Sequence, residues 1–379
     1  MKIGIDLRPF LRFETGVGTY IKNLIFSLSD RDMENDYYLF SSSLKQRFSP
    51  SKIPIFNKMH FRDFHWPVKL LNFAWYRLGW PTIDAFFKTR LDLTHSPTPL
   101  ICPTNGKAIV TVHDLFFMDF PYMANREARK FFLKNIHRSL QLSHGVIAVS
   151  HFIKKQLLER FQIDEEKVKV IYHGVDQEFS SDISLEEIKN FRASHSLPLR
   201  SIVFVGAMEP RKNLLNLVKA FRIVHSKEPD VSLVIAGRRG SAYPLLKKNI
   251  DKNRLHARVK ILDYLSSRDL KRLYRAGTLF VFPSLCEGFG LPLLEAMASG
   301  MPIAASERTA LPEIAGNAAL YFDPEKPEEI AFRILELLGD GDLRRKYIES
   351  GRKRAKEFEW GKTAESTLDF YHSVVYRGE

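Results

Sequence analysis

The sequence predicts an α/β chain made of two doubly wound parallel sheets, and three observations carry that expectation. Short apolar runs alternate with helix-period segments from end to end, the pattern left by parallel strands and their crossover helices. The chain has 379 residues, beyond the roughly 250–300 at which a single hydrophobic core stops growing, so two domains are expected. Its composition, 45% hydrophobic and 27% charged, is that of a globular protein and excludes disordered or collagen-like chains. The first half supplies the strand-like runs KIGIDL, YYLF, LDLTH, AIVTVH, GVIAVS and VKVIYH, and the second SIVFVG, VSLVIAG, VKIL, LFVFPS, MPIAAS and ALYFD. Ligands in such sheets bind beyond the carboxyl ends of the strands, so a ligand touching both halves would lie in a cleft between them. The expected boundaries are a first domain over 1–176, a polar linker over 177–199 entered through Gly174, and a second domain over 200–360. The closing stretch RKRAKEFEWGKTAESTLDFYHSVV has helical periodicity broken at Trp360–Gly361, which predicts a pair of terminal helices.

Cys102 and Cys286 belong to no C-x-x-C pair, which argues against structural zinc, iron–sulfur clusters and a disulfide framework and suits a reducing compartment. No apolar run reaches the roughly 18 residues that span a bilayer, and MKIGIDLRPF does not read as a signal peptide. A cytoplasmic protein is expected. The 57 Lys+Arg against 44 Asp+Glu leave a net charge of +13, which points to anionic partners: nucleic acid, phosphorylated ligands or acidic lipid. No recognisable nucleic-acid module accompanies the charge, so nucleic acid is not expected as a partner. The excess is partly local, with 13 basic against 6 acidic residues in 51–150. There FRDFHWPVKLLNFAWYRLGWPTIDAFFKTR (61–90) sets Trp66, Trp75 and Trp80 among Lys69, Arg77, Lys88 and Arg90. That pattern suits peripheral contact with an anionic membrane; a core helix with a solvated basic face is the alternative.

The most informative segment is LFVFPSLCEGFGLPLLEAMASGMPIAAS, residues 279–306. A buried strand ends at Pro283, a loop with Gly288 and Gly290 follows, and a helix opens near Pro292, where a missing N–H costs nothing. Backbone N–H groups at Phe289, Gly290 and Leu291 then make an anion site with the helix dipole. Glu287 precedes the loop and Glu295 stands eight positions later, one acceptor for the hydroxyls of a sugar and the other for those of a ribose. Alternatively Glu295 offsets the helix dipole and Glu287 is solvated.

This EGFGLPLLE string followed by AMASGMPI resembles the E-x(7)-E signature of retaining GT-B glycosyltransferases of family four, group one, and the likeness extends over several segments in order. VGAMEPRKNLLNLVKAF (205–221) resembles the family's strand, basic turn and helix, with Asn213 as a candidate cap. A lysine at Lys212 implies a contact to the donor diphosphate. Where members often carry an arginine directly after Gly206 this chain has Ala207, and Arg211 stands as its substitute. FETGVGTYIKNLIFSL places Gly16 and Gly18 in a loop that resembles the family's first glycine loop, near the distal phosphate and acceptor. The third glycine of a dinucleotide fingerprint is absent, Ile21 taking its place. His113, at the end of AIVTVH, resembles the family's functional histidine, which implies a bond to the donor sugar or a hand in placing the acceptor; a structural His113–Asp114 pair is the alternative.

AVSHFIKKQLLERF resembles the family's strand–serine–helix unit, with Ser150 as cap, and VIYHGVD the inter-domain segment, with His173 where an asparagine is common. The backbone near Tyr264 and Leu265 matches the region that meets the nucleobase. The resemblance implies the GT-B architecture with its terminal helix, about 361–379, returning to the first domain. It also implies a retaining, metal-independent hexosyltransferase without cofactor, whose partners are a nucleotide-diphosphate sugar and a saccharide or lipid-linked saccharide in surface polysaccharide assembly at the inner membrane face. GVGTY, VHDLFF and EPRKN point to mannose from GDP-mannose, with UDP- or dTDP-sugars as the alternative. The residues implied as catalytic are His113, Glu287, Arg211 and Lys212. Donor binding is implied for Gly16, Gly18, Gly206, Lys212, Tyr264, Leu265, Glu287, Gly288, Phe289, Gly290, Leu291 and Glu295. The D-x-D tripeptides at Asp30–Asp32 and Asp340–Asp342 follow helical runs and read as turns rather than metal sites. A non-catalytic sugar-nucleotide or polyanion binder is the remaining alternative.

Overall fold

The computed structural model describes residues 1–12, 15–44, 58–120 and 126–377. The chain divides into two compact units, Met1–Gly174 with Glu359–Glu379, and Val175–Phe358.

In the first unit seven parallel strands form one sheet: β1 (Lys2–Asp6), β2 (Asp36–Ser42), β3 (Met59–Phe64), β4 (Leu93–Ser96), β5 (Lys107–Val112), β6 (Gly145–Ala148) and β7 (Val168–Val170), in the order β3-β2-β1-β4-β5-β6-β7. The chain winds outward from β1 in one direction and then restarts at β4 in the other. That reversal leaves a crevice at the carboxyl ends of β1 and β4, the usual place for a ligand in an open sheet. Central strands are buried throughout, as in β5, where every residue but Lys107 is inaccessible. Helix Gly16–Arg31 opens on Thr15, whose hydroxyl accepts from Gly18 N at 3.1 Å, and helix His151–Arg160 opens on Ser150, which accepts from Ile153 N. Both are ordinary side-chain caps. The terminal helix Trp360–Val375 packs on Gly16–Arg31, and its Tyr371 hydroxyl meets His95 Nδ1 at 2.6 Å.

The last four residues of edge strand β3, Phe61–Phe64, open the segment expected to face a membrane. The remainder of that segment forms helix Val68–Phe73, a π-helical turn Ala74–Leu78 and helix Ile83–Phe87. Its inward face joins Leu71, Trp75, Ile83 and Phe87 to Phe40, Leu91 and Cys102 in one core cluster. Trp75 is therefore a core residue, its indole donating to Pro81 O at 2.8 Å with the Arg8 guanidinium over the ring. Trp66 and Trp80 stay exposed.

The second unit repeats the winding with six parallel strands: β8 (Ser201–Val205), β9 (Ser232–Ala236), β10 (Val259–Leu262), β11 (Leu279–Phe282), β12 (Ile303–Ser306) and β13 (Leu320–Phe322), in the order β10-β9-β8-β11-β12-β13. Its reversal point falls between β8 and β11. Residues 177–199, expected as a linker, lie inside this unit. They form a short 3-10 turn at Gln177–Ser180 and helix Leu185–Ser194, which packs on helix Ser267–Ala276.

Candidate active site

The segments after β8 and β11 meet because their strands are neighbours at the reversal point of the second sheet. Close backbone approach begins the construction. A Cβ on Gly237 would fall 2.2 Å from the carbonyl oxygen of Gly206, so only glycine lets the turn after β9 lie on the turn after β8. The chain then runs through Glu209 into a 3-10 turn, Pro210–Lys212, and the Arg211 carbonyl accepts from Leu285 N at 2.8 Å. That bond sets the basic turn against the loop carrying Glu287.

The side chains close into an ion cluster. Glu287 accepts from Lys212 Nζ through one carboxylate oxygen and from Arg211 Nη1 through the other at 3.0 Å, while Arg211 Nε also reaches Glu209 at 3.1 Å. Lys212 is 5% exposed and Glu287 7%, so these charges are sustained by one another. Burial, with Arg211 nearby, pulls the Lys212 ammonium below the ordinary lysine range, although Glu287 works against that shift. Burial would raise the Glu287 carboxyl, but Lys212 and Arg211 overcome it and hold the group below the usual carboxylate range. The backbone of Glu287 is anchored as well, its N–H donating to Thr309 Oγ1 at 3.1 Å.

Gly290, at φ 105, turns the loop into helix Leu291–Ala298, with Pro292 in its first turn. Gly288 and Phe289 are buried in that loop, and Phe289 meets Phe358 edge-on. Glu295 lies one turn into the helix beyond Leu291. It accepts from the buried Tyr274 hydroxyl at 3.0 Å. Burial pushes its carboxyl up to about 8; the Tyr274 bond opposes that rise and the charge of Asp176 adds to it. The two glutamates therefore differ in character, one ionised by its cations and the other holding its proton at neutral pH. Tyr264 and Leu265 occupy the loop after β10, Tyr264 exposed and Leu265 partly buried.

In the first unit His113 follows β5 and is partly buried. Its ring lies 4.9 Å from that of Tyr20, which projects from the helix carrying Gly16 and Gly18. Burial draws His113 down to about 4 and His95 to about 3, so both are neutral.

Comparison with known proteins agrees with this architecture. Residues 187–354 match the family described as glycosyl transferases group 1, and residues 15–179 match glycosyltransferase family 4. An O-antigen chain mannosyltransferase of Salmonella typhimurium is 30% identical over 271 residues, 69% of this chain and 72% of that protein. The chain belongs to the family 4, group 1 glycosyltransferases. O-antigen chain mannosyltransferase B of Escherichia coli is 27% identical over 278 residues, 73% of each chain. Among solved structures, sucrose-phosphate synthase of Thermosynechococcus elongatus superposes with a TM-score of 0.79 at 19% identity over 100% of both chains. Anabaena HepE, solved with UDP and glucose, gives 0.75 at 18% identity over 98% of this chain and 100% of its own. These likenesses establish the GT-B fold.

Several expectations for this glycosyltransferase change in detail. Asn213 does not cap its helix: it sits in the left-handed region at φ 58, and its side-chain amide donates to the carbonyls of Pro283 and Pro324 at 3.2 and 2.6 Å. Gly16 and Gly18, expected in a loop, instead form the first turn of helix Gly16–Arg31, and the Gly18 N–H donates to the Thr15 hydroxyl. Phe13 and Glu14 of that glycine loop lie outside the described residues. In the D-x-D tripeptides, Asp340 caps helix Gly341–Ala355 and Asp32 closes the turn after Gly16–Arg31, bonding Glu34 N and Asn35 N. Glu209 and Tyr274 were not singled out from the sequence; Glu209 lies three residues before Lys212, but no motif connects Tyr274 with Glu295.

Proposed function

We propose that this glycosyltransferase moves a mannosyl unit from GDP-mannose to a hydroxyl of a saccharide or lipid-linked saccharide in surface polysaccharide assembly, with retention at the anomeric carbon. The Arg211–Lys212–Glu287 cluster carries this reading. A donor diphosphate competes with Glu287 for both cations, and the carboxylate so released accepts from hydroxyls of the sugar. As the bond from the anomeric carbon to the phosphate oxygen breaks, negative charge grows on the diphosphate. Arg211 and Lys212 stabilise it there with charge-assisted hydrogen bonds. Glu287, once released, is assigned to the sugar hydroxyls and is not offered as a covalent nucleophile, so attack from the departing face on an oxocarbenium-like ion pair is the route assigned. Glu295 receives the ribose hydroxyls, the loop at Tyr264 and Leu265 the base, and His113 the transferring sugar or its acceptor. The turn at Gly206 and the loop Gly288–Leu291 line the diphosphate, with Gly16 and Gly18 assigned to its distal end.

The names of the relatives support mannose, and HepE with UDP and glucose supports a second reading with a UDP-sugar. Thermal stabilisation by GDP, UDP and dTDP decides between them: protection by UDP without protection by GDP sinks the mannose reading. The diphosphate charge is assigned to side chains, so turnover needs no metal and survives EDTA; loss in EDTA restored by magnesium contradicts this.

A lipid-linked acceptor places the enzyme at the cytoplasmic face of a membrane. Among the described residues no helix is long and apolar enough to cross one. The outer face of 66–80 nevertheless exposes Trp66, Leu70, Phe73, Leu78 and Trp80, with Lys69 and Arg77 between them also exposed. Aromatic and aliphatic side chains flanked only by cations fit the interface of an anionic bilayer. Co-sedimentation with phosphatidylglycerol vesicles at low salt is expected, and Trp80→Ser with Leu78→Ser should abolish it. Wild-type protein that stays in solution removes this contact from the reading.

A further inference from the structure

Glu287 is held twice, by its carboxylate and by its main chain. The carboxylate is gripped by Lys212 and Arg211, and the main chain is taken by the loop that leaves β12. The Glu287 N–H donates to Thr309 Oγ1 at 3.1 Å, and the Glu287 carbonyl accepts from Ala310 N at 3.4 Å. The Thr309 hydroxyl is fixed in its turn, because its hydrogen goes to the Arg308 carbonyl at 2.7 Å. Donating there, it keeps a lone pair for Glu287.

The residue that supplies this hydroxyl is strained. Among the described residues other than glycine, Lys88, Ser196, Asn213, Arg254 and Thr309 have a left-handed backbone, and Thr309, at φ 62, is the one whose Cβ is branched. Branched side chains tolerate that region least. Its neighbours hold it there: Glu307 N donates to Phe322 O at 3.0 Å, and the Arg308 guanidinium reaches Asp323 at 3.0 Å and Glu325 at 2.6 Å. Beyond it helix Leu311–Ala315 begins, and a Cβ on Gly290 would fall 2.8 Å from Leu311 Cδ2. The strained turn is thus wedged between β13 and the Glu287 loop. Strain of this kind persists only where the surroundings over-determine it, and it gathers at functional sites. Glycine would take the same backbone without strain, but would leave the Glu287 N–H without its acceptor.

We propose that Thr309 is a positioning residue for glycosyl transfer: its hydroxyl, held on a strained backbone, keeps Glu287 aimed at the sugar once the donor diphosphate has drawn Lys212 and Arg211 away. The proposal rests on the role given to Glu287 above. In the free protein the two cations hold the carboxylate, so the bond to Thr309 is redundant there. After the exchange it is not, because a diphosphate competes for cations but not for a hydroxyl that already donates and accepts within the protein. The bond therefore matters to turnover more than to folding.

The test reads three quantities on the full-length protein: Tm, affinity for the free nucleoside diphosphate, and release of that diphosphate from GDP-mannose, UDP-glucose or dTDP-rhamnose to water. The last needs no acceptor: the bond from the anomeric carbon to the phosphate oxygen breaks, water oxygen bonds to that carbon, and one water proton passes to solvent. Thr309→Gly should keep Tm within about 2 °C of wild type, since relieved strain offsets the lost bond. It should also keep the diphosphate affinity, yet lower kcat about tenfold, the worth of roughly one hydrogen bond. Thr309→Ser, which restores the hydroxyl, should bring kcat back within about twofold of wild type. Wild-type kcat in Thr309→Gly overturns the proposal, and so does a Thr309→Ser as slow as Thr309→Gly. A Thr309→Gly that loses Tm and diphosphate affinity along with kcat overturns it as well, leaving Thr309 a structural residue. Glu287→Gln separates the proposal from the reading beneath it and should lower kcat more than Thr309→Gly does. Wild-type kcat in Glu287→Gln overturns the role of Glu287, and no release by wild type from any of the three donors overturns the reaction; either takes the proposal with it.

Discussion

The two sheets are wound in the same order, yet the segments that leave their central strands are built on different electrostatics. After β8 and β11 the second unit gathers Lys212, Arg211, Glu209 and Glu287 into a low-exposure ion cluster. Around β4 and β5 the first unit gathers Tyr20, Thr111, His95, His113 and His173, all neutral and joined by hydrogen bonds and ring contacts. One winding thus fixes where a site forms but not what chemistry it holds. Under the function proposed here the difference suits two demands of glycosyl transfer: a charged cluster can exchange its internal partner for a diphosphate, whereas a neutral network can meet hydroxyls without presenting a charge.

Breaking the charged half should have the largest effect. Glu287→Ala leaves Lys212 buried beside Arg211 with no carboxylate between them, and should cost about 3–5 kcal/mol of stability in urea unfolding. Adding Lys212→Met should recover a large part of that loss, because the stranded charge is removed with its partner. If Glu287→Ala unfolds like wild type, the cluster is solvated and the contrast between the units fails. Lys212→Ala should lower kcat by about 10²–10³-fold at saturating donor, the usual cost of one preorganised charge-stabilising donor. A variant that changes only KM would limit Lys212 to ground-state binding.

Acid probes the neutral half. His95 and His113 have folded values, about 3 and about 4, below their unfolded value near 6.5. As pH falls the unfolded chain takes up the protons first, so stability present above about pH 6.5 is lost on the way down to pH 4. Each histidine that stays neutral contributes a slope of about 1.4 kcal/mol per pH unit in that window. Replacing His95 by Gln should flatten it, and an unchanged slope would mean the ring is accessible to solvent. The smallest effect concerns Glu295, whose folded value of about 8 lies above its unfolded one. Its contribution to stability is full below about pH 4.5 and is lost as pH rises through 8. The ionised form is the better acceptor for ribose hydroxyls, so donor KM should fall from pH 7 to pH 9. Glu295→Gln should remove that dependence and raise KM about tenfold at pH 9, the cost of roughly one charge-assisted bond; a pH-independent wild-type KM would contradict it.

The parallel-sheet class was readable because buried strands appear as short apolar runs, and all six runs read in the second half fall on strands. β3 was not read, because its MHFRDF carries Arg62 and Asp63 at the sheet edge, where one side of the strand is open and charge is tolerated. The glycines and glutamates around the loop after β11 stood out through their spacing. Their pairing did not: the bond between Glu287 and Lys212 spans 75 positions and depends on which strands become neighbours. Asn213 was misread as a cap since local sequence does not reveal a left-handed backbone, and the Tyr274 clamp on Glu295 has no local trace at all. Trp75 and Trp80 look alike in a row of aromatics, but only packing separates the core residue from the exposed one.

The central claim is that Lys212 and its cluster receive the donor diphosphate. Thermal unfolding of wild type and Lys212→Ala with GDP, UDP and dTDP at matched concentrations tests it most directly. Wild type should gain about 5–10 °C at roughly a hundredfold excess over Kd, most with GDP, and the variant almost nothing. An equal gain in both proteins would contradict the account.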